Sequence, residues 1–416
     1  MRPFKTSLII GISLLVIAIV AAVASAIIFT YPYEPKRPPK TDVAGWTWEG
    51  VREVVFANNR FALELYSELS KRETGNIFFS PYSISSALAI VYEGARGETA
   101  DEIRAVFHFP DYEVLRPNFA EIYNSINKNY SGCEIRTGNA LWVQEGFPLL
   151  ESYRTVVERY YGGKAANLDF SKEESRQTIN SFIEEQTNGK IKDLIPSGFL
   201  NSQTALVVTN AIYFKGTWLW EFDPKETREM DFETPKGKVK VPMMCMFPSG
   251  VKFKYAEIGN LQILELPYSN GNVSMLILLP KADLSSIEPL TIEKLEEWRS
   301  EMKETVLDAI YLPKFEFETK YLLNDYLKTL GMPKAFNPHE ADFSGMTTVK
   351  VWVDFVVHQA YVKVDEKGTE AAAATAAGMT FCINKVFMAN HPFIFIIQQN
   401  DTGNILFLGR VVNPNQ

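Results

Sequence analysis

Near its C-terminus the chain reads Gly368-Thr369-Glu370-Ala371-Ala372-Ala373-Ala374-Thr375-Ala376-Ala377-Gly378, a stretch without one large apolar side chain. It separates two segments with the composition of β-strands, residues 351–364 and 392–398. Alanine is the best helix former, so composition alone favours a helix or a linker. Small side chains cannot anchor a segment in a hydrophobic core, which favours instead a long exposed loop. The rest of the sequence decides between these two interpretations.

The overall composition is that of a globular protein. Of 416 residues, 46% are hydrophobic and 22% are charged, and no internal repeat of fixed period is present. The net charge is −8; the first 40 residues carry five basic side chains and one acidic one, a charge of +4, so the remainder carries −12. An acidic body argues against nucleic-acid binding, which needs a basic surface.

The three cysteines, Cys133, Cys245 and Cys382, do not make a disulfide framework. At most one intrachain pair is available, and their spacing matches no metal site. We expect Cys133 and Cys245 to be small buried side chains. The sequence therefore predicts neither a metal nor a cofactor.

The N-terminus carries a membrane signal. Residues 7–29 contain no charge and are almost entirely apolar; as a helix they would extend roughly 34 Å, enough for the hydrocarbon core of a bilayer. Arg2 and Lys5 precede them, which favours a cytoplasmic N-terminus. Residues 22–26 also resemble a signal-peptide cleavage site, but the long apolar run favours an uncleaved anchor. In both cases a spacer with four prolines, residues 31–40, leads to a body outside the cytoplasm.

Two helices of the body can be predicted from their periodicity and ends. Residues 56–71 repeat apolar side chains every four positions, the spacing of one helix face. Ser171 and Glu174 have the spacing of a capping box and predict the start of a second helix. Asn188-Gly189 can end that helix, because both residue types tolerate the left-handed conformation.

The remaining body is rich in strands. Residues 261–266 and 273–279 flank Ser269-Asn270-Gly271-Asn272, which predicts a β-hairpin. Helical and strand-like segments mix without βαβ repetition, and no linker rich in Pro, Gly or Ser divides residues 41–416. We predict one α+β domain over residues 41–416, preceded by an N-terminal membrane element of residues 1–40.

The common catalytic signatures are missing from the chain. Neither a Gly-x-Ser-x-Gly elbow nor a phosphate-binding loop occurs, and none of the four histidines belongs to a zinc-protease motif. His358 lies in a strand-like run, where a hydrogen-bonded core histidine is the ordinary case. We expect that the protein is not an enzyme. A hydrolase that uses His358 is kept only as a third hypothesis.

Four separated segments together resemble the serpin family. Their order and spacing match the family over residues 45–416; one such motif is weak evidence, whereas four in order are specific. The segments are Asn76-Ile77-Phe78-Phe79-Ser80-Pro81-Tyr82-Ser83-Ile84 running on to Gly97-Glu98-Thr99-Ala100-Asp101-Glu102-Ile103; Thr209-Asn210-Ala211-Ile212-Tyr213-Phe214-Lys215-Gly216-Thr217-Trp218; Asp365-Glu366-Lys367-Gly368-Thr369-Glu370-Ala371-Ala372-Ala373-Ala374; and Asn390-His391-Pro392-Phe393 followed by Phe407-Leu408-Gly409-Arg410-Val411-Val412-Asn413-Pro414.

The resemblance implies both a fold and a function. The fold would have three β-sheets, about nine helices and an exposed reactive-centre loop, here about residues 366–390. The function would be suicide inhibition of serine proteases: the protease attacks the loop, forms an acyl-enzyme, and is trapped when the cut loop inserts into the largest sheet. The alternative is a non-inhibitory serpin that acts as a binding or carrier protein.

The resemblance makes the alanine-rich stretch the hinge of that loop. Alternate side chains of an inserting strand must enter a tight interior, and here they are all small. Thr369 would be the first to point inward, where a charge would be costly to bury, and Gly368 lets the backbone turn without a Cβ penalty. The implied hinge residues are Glu366, Gly368, Thr369, Glu370, Ala371, Ala372, Ala373 and Ala374.

Two further groups carry over by match to the family. Ser80, Ser83, Asn210 and His358 resemble the polar cluster beneath the sheet centre, where the strands must part; we name it the sheet-opening cluster. Trp218 and Lys314, together with the hinge residue Glu366, resemble the group at the top of the sheet where insertion begins; we name it the sheet-top group. An ion pair between Lys314 and Glu366 would be modest in energy if exposed.

The reactive bond is left with two candidates. Counting forward from the hinge in the family pattern gives Cys382-Ile383, whereas counting back from Pro392-Phe393 gives Phe381-Cys382, because the loop is one residue shorter than the commonest length. Phe381 would suit chymotrypsin-like or subtilisin-like proteases, and Cys382 would suit elastase-like proteases. Hinge-side length controls insertion, which favours Cys382-Ile383.

The sequence thus predicts a monomeric, membrane-tethered serpin whose partner is a target serine protease held in a covalent complex. The serpin domain would lie outside the cytoplasm, or be secreted if the N-terminal segment is cleaved. Three segments match the glycosylation pattern, although chance matches are common: Asn129-Tyr130-Ser131, Asn272-Val273-Ser274 and Asn400-Asp401-Thr402.

Overall fold

The computed structural model describes residues 40–128, 132–269, 271–369 and 385–416. These residues belong to one compact unit, Pro38–Gln416. The predicted membrane segment, residues 7–29, lies outside the described residues. Within the described part of the chain, no helix combines the length and the apolar character needed to cross a membrane.

Eight α-helices and two short 3₁₀ helices occur in the described residues. The 3₁₀ helices are Leu284–Ser286 and Lys334–Phe336. The α-helices are α1 (Trp48–Arg72), α2 (Pro81–Gly94), α3 (Gly97–Phe107), α4 (Tyr112–Ile126), α5 (Glu151–Tyr161), α6 (Glu173–Gln186), α7 (Ile292–Glu301) and α8 (Asn324–Leu330).

Seventeen strands form three sheets in the same residues. They are β1 (Ile77–Phe79), β2 (Cys133–Gln144), β3 (Lys164–Leu168), β4 (Leu206–Thr217), β5 (Arg228–Thr234), β6 (Gly237–Met246), β7 (Lys252–Ile258), β8 (Leu261–Pro267), β9 (Val273–Pro280), β10 (Lys303–Val306), β11 (Ala309–Pro313), β12 (Phe315–Leu322), β13 (Phe355–Val364), β14 (Gly368–Thr369), β15 (Val386–Met388), β16 (Phe393–Gln399) and β17 (Ile405–Val411).

The six-stranded sheet positions the candidate site. Its strand order is β12-β13-β4-β2-β3, and the short β14 pairs with β4. The two central strands, β13 and β4, run parallel and pair from Phe355 with Val207 to Ala360 with Ile212. The pairing of β4 with β13 ends at Ile212, whereas β4 itself continues to Thr217, where β14 pairs with it instead.

Helix α2 fills the space behind this sheet. It contacts β2 and β4 on one side and β17 of the seven-stranded sheet, whose order is β1-β17-β16-β9-β8-β7-β10, on the other. Every residue of α2 is buried, as expected of a helix enclosed on all sides. The third sheet has four strands in the order β15-β11-β6-β5.

The predicted α+β architecture with three β-sheets is confirmed. Helix α1 contains the predicted helix of residues 56–71, and β8 and β9 form the predicted antiparallel hairpin. Cys133 and Cys245 are buried, at 8% and 4% exposure, as expected.

For helix α6, the predicted capping box was wrong and the predicted C-terminal end was confirmed. The N-cap of α6 is Lys172 and makes no side-chain cap, because Ser171 instead hydrogen-bonds the Asp169 carboxylate. The end of α6 is as predicted: the helix stops at Gln186, and Asn188 and Gly189 follow with φ of 54° and 73°.

Candidate functional site

The sheet-opening cluster lies where β13, β4 and the start of α2 meet. Asn210 on β4 and His358 on β13 are paired in register, and the Nδ1 of His358 is hydrogen-bonded to Asn210 Oδ1. The Asn210 amide donates to Ser83 Oγ and to Asn139 Oδ1, both at 2.6 Å. All of these side chains are buried, so the cluster is a closed hydrogen-bond network that holds the two central strands together.

Ser80 ties this network to the helix and to the neighbouring sheet. Its hydroxyl accepts from Ser83 N at 3.1 Å as the N-cap of α2, and Pro81 occupies the first helical turn, a favoured arrangement. The same hydroxyl donates to Leu406 O on β17 at 2.6 Å. The sequence Ser80-Pro81 therefore fixes the helix start at the junction of the two sheets.

His358 is neutral, and its tautomer follows from its partners. Ser80 N donates to Nε2 at 3.1 Å, so Nε2 carries the lone pair and Nδ1 carries the proton given to Asn210 Oδ1. Burial lowers the pKa of His358 to about 3, because a charged ring would lose its hydration. Both nitrogens are occupied and the side chain is fully buried, so the hydrolase hypothesis has no reachable base at His358.

The sheet-top group forms around Glu366, two residues after the end of β13. The Lys314 Nζ lies 2.8 Å from Glu366 Oε2, and Thr227 Oγ1 donates to Glu366 Oε1 at 2.7 Å. Burial raises the pKa of Glu366, but hydrogen bonds from Lys314 and Thr227 outweigh it, so the pKa lies below its ordinary value. The side chains are 35% and 10% exposed for Lys314 and Glu366, so this ion pair is better shielded than a surface pair.

Trp218, the residue that follows the end of β4, packs against the same region. Its indole Nε1 donates to Asp365 O at 3.1 Å, and its backbone N donates to Lys367 O at 2.7 Å. Its ring stacks on Tyr268 with centroids 4.6 Å apart. Trp218 thus holds the backbone that leads from β13 into the hinge.

The hinge turns back onto β4 immediately after this group. Asp365 and Gly368 exchange two backbone hydrogen bonds, of 2.8 and 3.1 Å, which close a tight turn. Gly368 then pairs with Thr217, and Thr369 with Gly216, antiparallel to β4. Thr369 is 3% exposed, and its hydroxyl is 2.9 Å from the Tyr268 hydroxyl.

Glycine is required at position 368. Its φ is +148°, and a Cβ built there would lie 2.0 Å from Gly216 O. A non-glycine residue would strain the backbone and clash with a strand that cannot move aside. The chain can therefore approach β4 only because position 368 has no side chain.

Lys367 occupies the same turn and is unusual. It is 4% exposed, and its Nζ has no hydrogen-bond partner among the residues that the structure describes. A buried ammonium without a partner is costly. The turned-back hinge therefore encloses a basic side chain that has no hydrogen-bond partner in the described part of the chain.

Nine of the seventeen predicted site residues fall into these two groups, and the other eight are not among the described residues. Ser80, Ser83, Asn210 and His358 come together in one group, and Trp218, Lys314, Glu366, Gly368 and Thr369 in the other. The predicted hinge residues Glu370, Ala371, Ala372, Ala373 and Ala374, and the candidate reactive residues Phe381, Cys382 and Ile383, lie outside the described residues.

Sequence reasoning missed Asn139, Thr227 and Tyr268. Asn139 sits on β2 in register with Asn210, and a single asparagine in a strand gives no pattern to detect. The Tyr268–Trp218 contact was also undetectable, because it depends on a tertiary bridge between distant segments. No group of three or more His, Cys, Asp or Glu side chains in the described residues could hold a metal ion.

The fold and this geometry place two groups of polar side chains along the seam between the parallel strands β13 and β4. A family model described as "Serpin (serine protease inhibitor)" matches residues 56–414. The chain belongs to the serpin family.

Relatives and solved structures agree with this assignment. A serpin-like protein of Methanosarcina mazei is 42% identical and is matched over 87% of this chain and 88% of its own length. Leukocyte elastase inhibitor A of Rattus norvegicus is 40% identical over 86% of this chain and 98% of its own. Among solved structures, uncleaved ovalbumin is 32% identical with a TM-score of 0.78, and it is matched over 87% of this chain and 100% of its own. Human thyroxine-binding globulin in complex with its ligand is 31% identical with a TM-score of 0.80, over 88% and 100%.

Proposed function

We propose that this protein is a suicide inhibitor of serine proteases of the chymotrypsin, subtilisin or elastase type. The observation that carries the proposal is the hinge: Gly368 and Thr369 already pair antiparallel with β4, beside the parallel strand β13. This is the position in which an inserting strand would run. The first step of insertion would therefore only extend the existing antiparallel pairing of the hinge with β4.

Continuing that register predicts which side chains would meet inside the sheet. In this antiparallel register, each residue further along the hinge pairs with the β4 residue one position earlier in the chain. The residues that would face inward with Thr369 are Ala371, Ala373, Thr375 and Ala377. Their partners on β4 would be Phe214, Ile212, Asn210 and Val208, most of them large. Small residues opposite large ones fill the interior without overpacking it.

The chemistry of trapping follows from ordinary acyl transfer. The protease serine oxygen attacks the carbonyl carbon of residue 381 or 382, the peptide C–N bond breaks, and the protease histidine protonates the departing amine. The two proteins are then joined by an ester. Insertion of the hinge carries that ester away from the loop's original position and disturbs the catalytic geometry that hydrolysis by water would need.

The comparisons support this direction without identifying a target. Leukocyte elastase inhibitors are among the relatives that match most of the chain. After Glu370, the hinge of this chain contains only alanine and threonine up to Gly378. A hinge of small residues favours insertion over a purely structural loop.

The direct test is to mix the chain, lacking residues 1–40, with chymotrypsin, subtilisin and elastase separately. A denaturant-stable adduct with the summed mass of both proteins is expected with at least one of them. Mass spectrometry of the released C-terminal peptide distinguishes cleavage at Phe381-Cys382 from cleavage at Cys382-Ile383. Cleavage of the loop without an adduct, across a broad protease panel, would show that the protein is not an inhibitor.

A substitution at the hinge tests the insertion step. Thr369→Arg would bury a guanidinium beside Tyr268, so insertion should slow and the protease should turn the inhibitor over as a substrate. Thr155→Arg on the exposed face of α5 is the matched control and should leave the adduct yield unchanged. An undiminished adduct yield in Thr369→Arg would rule out insertion in this register.

A second candidate function is that of a non-inhibitory binding or carrier serpin. It is favoured by the similarity to thyroxine-binding globulin, two structures of which have TM-scores of 0.80 and 0.79. In that case the loop is cut without an adduct, and calorimetric titration with thyroxine, the ligand of that relative, gives a saturable signal. An adduct with any protease, together with no heat from thyroxine, excludes this alternative.

We further propose that residues 7–29 anchor the protein in a membrane, with the serpin domain outside the cytoplasm and acting as a monomer. The support is the uncharged apolar run with Arg2 and Lys5 before it. The full chain should stay in the membrane fraction after alkaline extraction, and deletion of residues 7–29 should release it. If expression of the full chain yields a soluble product that begins near residue 27, the segment is instead a cleaved signal peptide.

A further inference from the structure

Four large apolar side chains are exposed around the points where the reactive-centre loop leaves and rejoins the body. They are Leu219, Trp220, Phe247 and Val306, with 45%, 36%, 43% and 45% of their surface exposed. Of nine such side chains in the described residues, four are therefore gathered here. Single exposed apolar residues are ordinary, but a cluster of them indicates a contact surface. We name these four residues the loop-base patch.

Three residues of the patch border β7 through a ring contact, a strand pairing or their place in the chain, and the fourth directly precedes Trp220. The Trp220 ring lies edge-on to Phe253, with centroids 5.1 Å apart, and Phe253 is paired with Thr305, next to Val306. Phe247 opens the short connection from β6 to β7, and β7 begins at Lys252, which is paired with Val306. The patch therefore surrounds the start of β7.

The far end of the reactive-centre loop is fixed beside this patch. Asp308, two residues after Val306, donates its N–H to Lys385 O at 2.9 Å, and its carboxylate accepts from Lys385 N at 2.7 Å. On the other side, Met246 pairs with Ile310, and Ile310 pairs with Phe387. With strands about 4.8 Å apart, Phe247 lies only two strand spacings from the returning loop.

The length of the chain decides what must cover this surface. Two or three residues separate Lys385 from the candidate reactive bonds, so either bond lies within roughly 14 Å of Lys385. A protease–inhibitor interface covers roughly 800 Å² on each partner, a disc of roughly 16 Å radius. A protease seated on either bond therefore overlies the loop base.

We propose that the loop-base patch is a second docking surface for the body of the target serine protease, in addition to the reactive bond. The inference rests on the proposed inhibitory function. Its partner is a protease with apolar side chains beside its substrate cleft, because the exposed residues of the patch are apolar. The patch would raise the rate at which the first encounter complex forms. It would also discriminate among proteases that have the same primary specificity pocket.

The test compares a patch variant with a matched control. The double variant Phe247→Ser/Val306→Thr removes apolar surface from two exposed positions. Leu322→Ser is the control: Leu322 is 49% exposed but ends β12 next to Val357, at the end of the sheet away from the hinge. The measured quantity is the second-order rate constant of adduct formation with chymotrypsin, subtilisin and elastase.

For the protease that forms the adduct, the rate constant should fall about tenfold in the double variant, equivalent to about 1.4 kcal/mol, and less than twofold in the control. The number of inhibitor molecules consumed per protease should not change, because insertion is untouched. The dissociation constant for that protease carrying Ser→Ala at its nucleophile should rise by the same factor. Equal melting temperatures exclude misfolding as the cause.

Several results would overturn the proposal. Equal rate constants in the wild type and the double variant would show that the protease does not contact the patch. More inhibitor consumed per protease would assign these residues to insertion instead. A concentration-dependent dimer that the double variant loses, with an unchanged rate, would assign the patch to a second copy of this chain. If the wild type forms no adduct with any protease, the proposed function itself fails first and takes this inference with it.

Discussion

A single buried histidine connects the two central strands to the stability of the whole domain. His358 accepts a hydrogen bond from Ser80 N and donates one to Asn210, which it can do only as the neutral ring. Its ordinary pKa is 6.5, and burial lowers the folded-state pKa to about 3. Between pH 6.5 and about 3, His358 therefore binds a proton in the unfolded chain but not in the folded chain.

The free energy of unfolding should accordingly depend on His358 below neutral pH. The contribution is fully present above pH 6.5 and is lost as the pH falls from there towards 3, at about 1.4 kcal/mol per pH unit. In urea denaturation at pH 7.5, 6, 5 and 4, His358→Gln should be less stable than wild type at pH 7.5 and lose stability less steeply on acidification. Parallel curves for the two proteins would mean that His358 is protonated in the folded state.

Lys367 is a second residue whose role depends on burial. Its Nζ is enclosed and unpartnered in the described structure while the hinge is paired with β4. Lys367→Met keeps the aliphatic stem and removes the charge, so the free energy of unfolding should rise by about 1–3 kcal/mol. Urea denaturation measures this directly.

Lys363→Met supplies the control for that variant. Lys363 is 36% exposed and pairs with Glu316 at 3.3 Å, so its loss should change the free energy of unfolding by less than about 0.5 kcal/mol. No gain in Lys367→Met relative to Lys363→Met would mean that the Lys367 ammonium reaches water.

At the scale of single elements, sequence patterns worked where the cause is local. The end of α6 follows from the positive φ of Asn188 and Gly189, and the β8–β9 hairpin follows from its turn residues. The capping box of Ser171 and Glu174 failed because Asp169, two residues before Ser171, competes for the serine hydroxyl. The alanine-rich stretch gave no reliable local signal. Of its residues only Gly368 and Thr369 are described, and they pair with β4, which is far away in sequence.

The register of β14 on β4 leads to a prediction about the inserted strand. Insertion must part β13 from β4 and so break the His358–Asn210 hydrogen bond. If pairing continues from Thr369 opposite Gly216, Thr375 would face Asn210 and offer a hydroxyl in place of the lost partner. Thr375→Val should therefore reduce the stability gained on loop cleavage by about 1–2 kcal/mol, since a buried polar group would be left unsatisfied.

Thr375→Ser is the matched control for that variant. Serine keeps the hydroxyl and loses only a methyl group, so it should retain most of the gain. The measurement is the difference in the free energy of unfolding between the cut and uncut protein for each variant. Equal losses in Thr375→Val and Thr375→Ser would place another residue opposite Asn210 and refute the register.

For the whole molecule, the family and the two groups of site residues could be predicted from sequence, but the strand pairing at the start of the hinge could not. Ser80, Ser83, Asn210 and His358 were found by motif, and the structure brings them together. That Gly368 and Thr369 are already paired with β4 was not predictable, because pairing of distant strands depends on tertiary packing rather than on propensity. What the structure adds to the sequence is the antiparallel pairing of Gly368 and Thr369 with β4.

Loop cleavage should raise the thermal stability of the whole domain. A strand of about ten residues inserted between β13 and β4 would make about two backbone hydrogen bonds per residue, and the pairing that it replaces spans six residues. The net gain is therefore about ten or more hydrogen bonds, each contributing about 1 kcal/mol. Since 1 kcal/mol shifts the melting temperature of a large domain by about 2–4 °C, the midpoint should rise by more than about 20 °C. Scanning calorimetry before and after limited proteolysis measures it, and Thr369→Arg, cut in the same way, should gain much less. Equal midpoints for the cut and uncut wild type would mean that the loop stays outside the sheet, which is the behaviour of the carrier alternative.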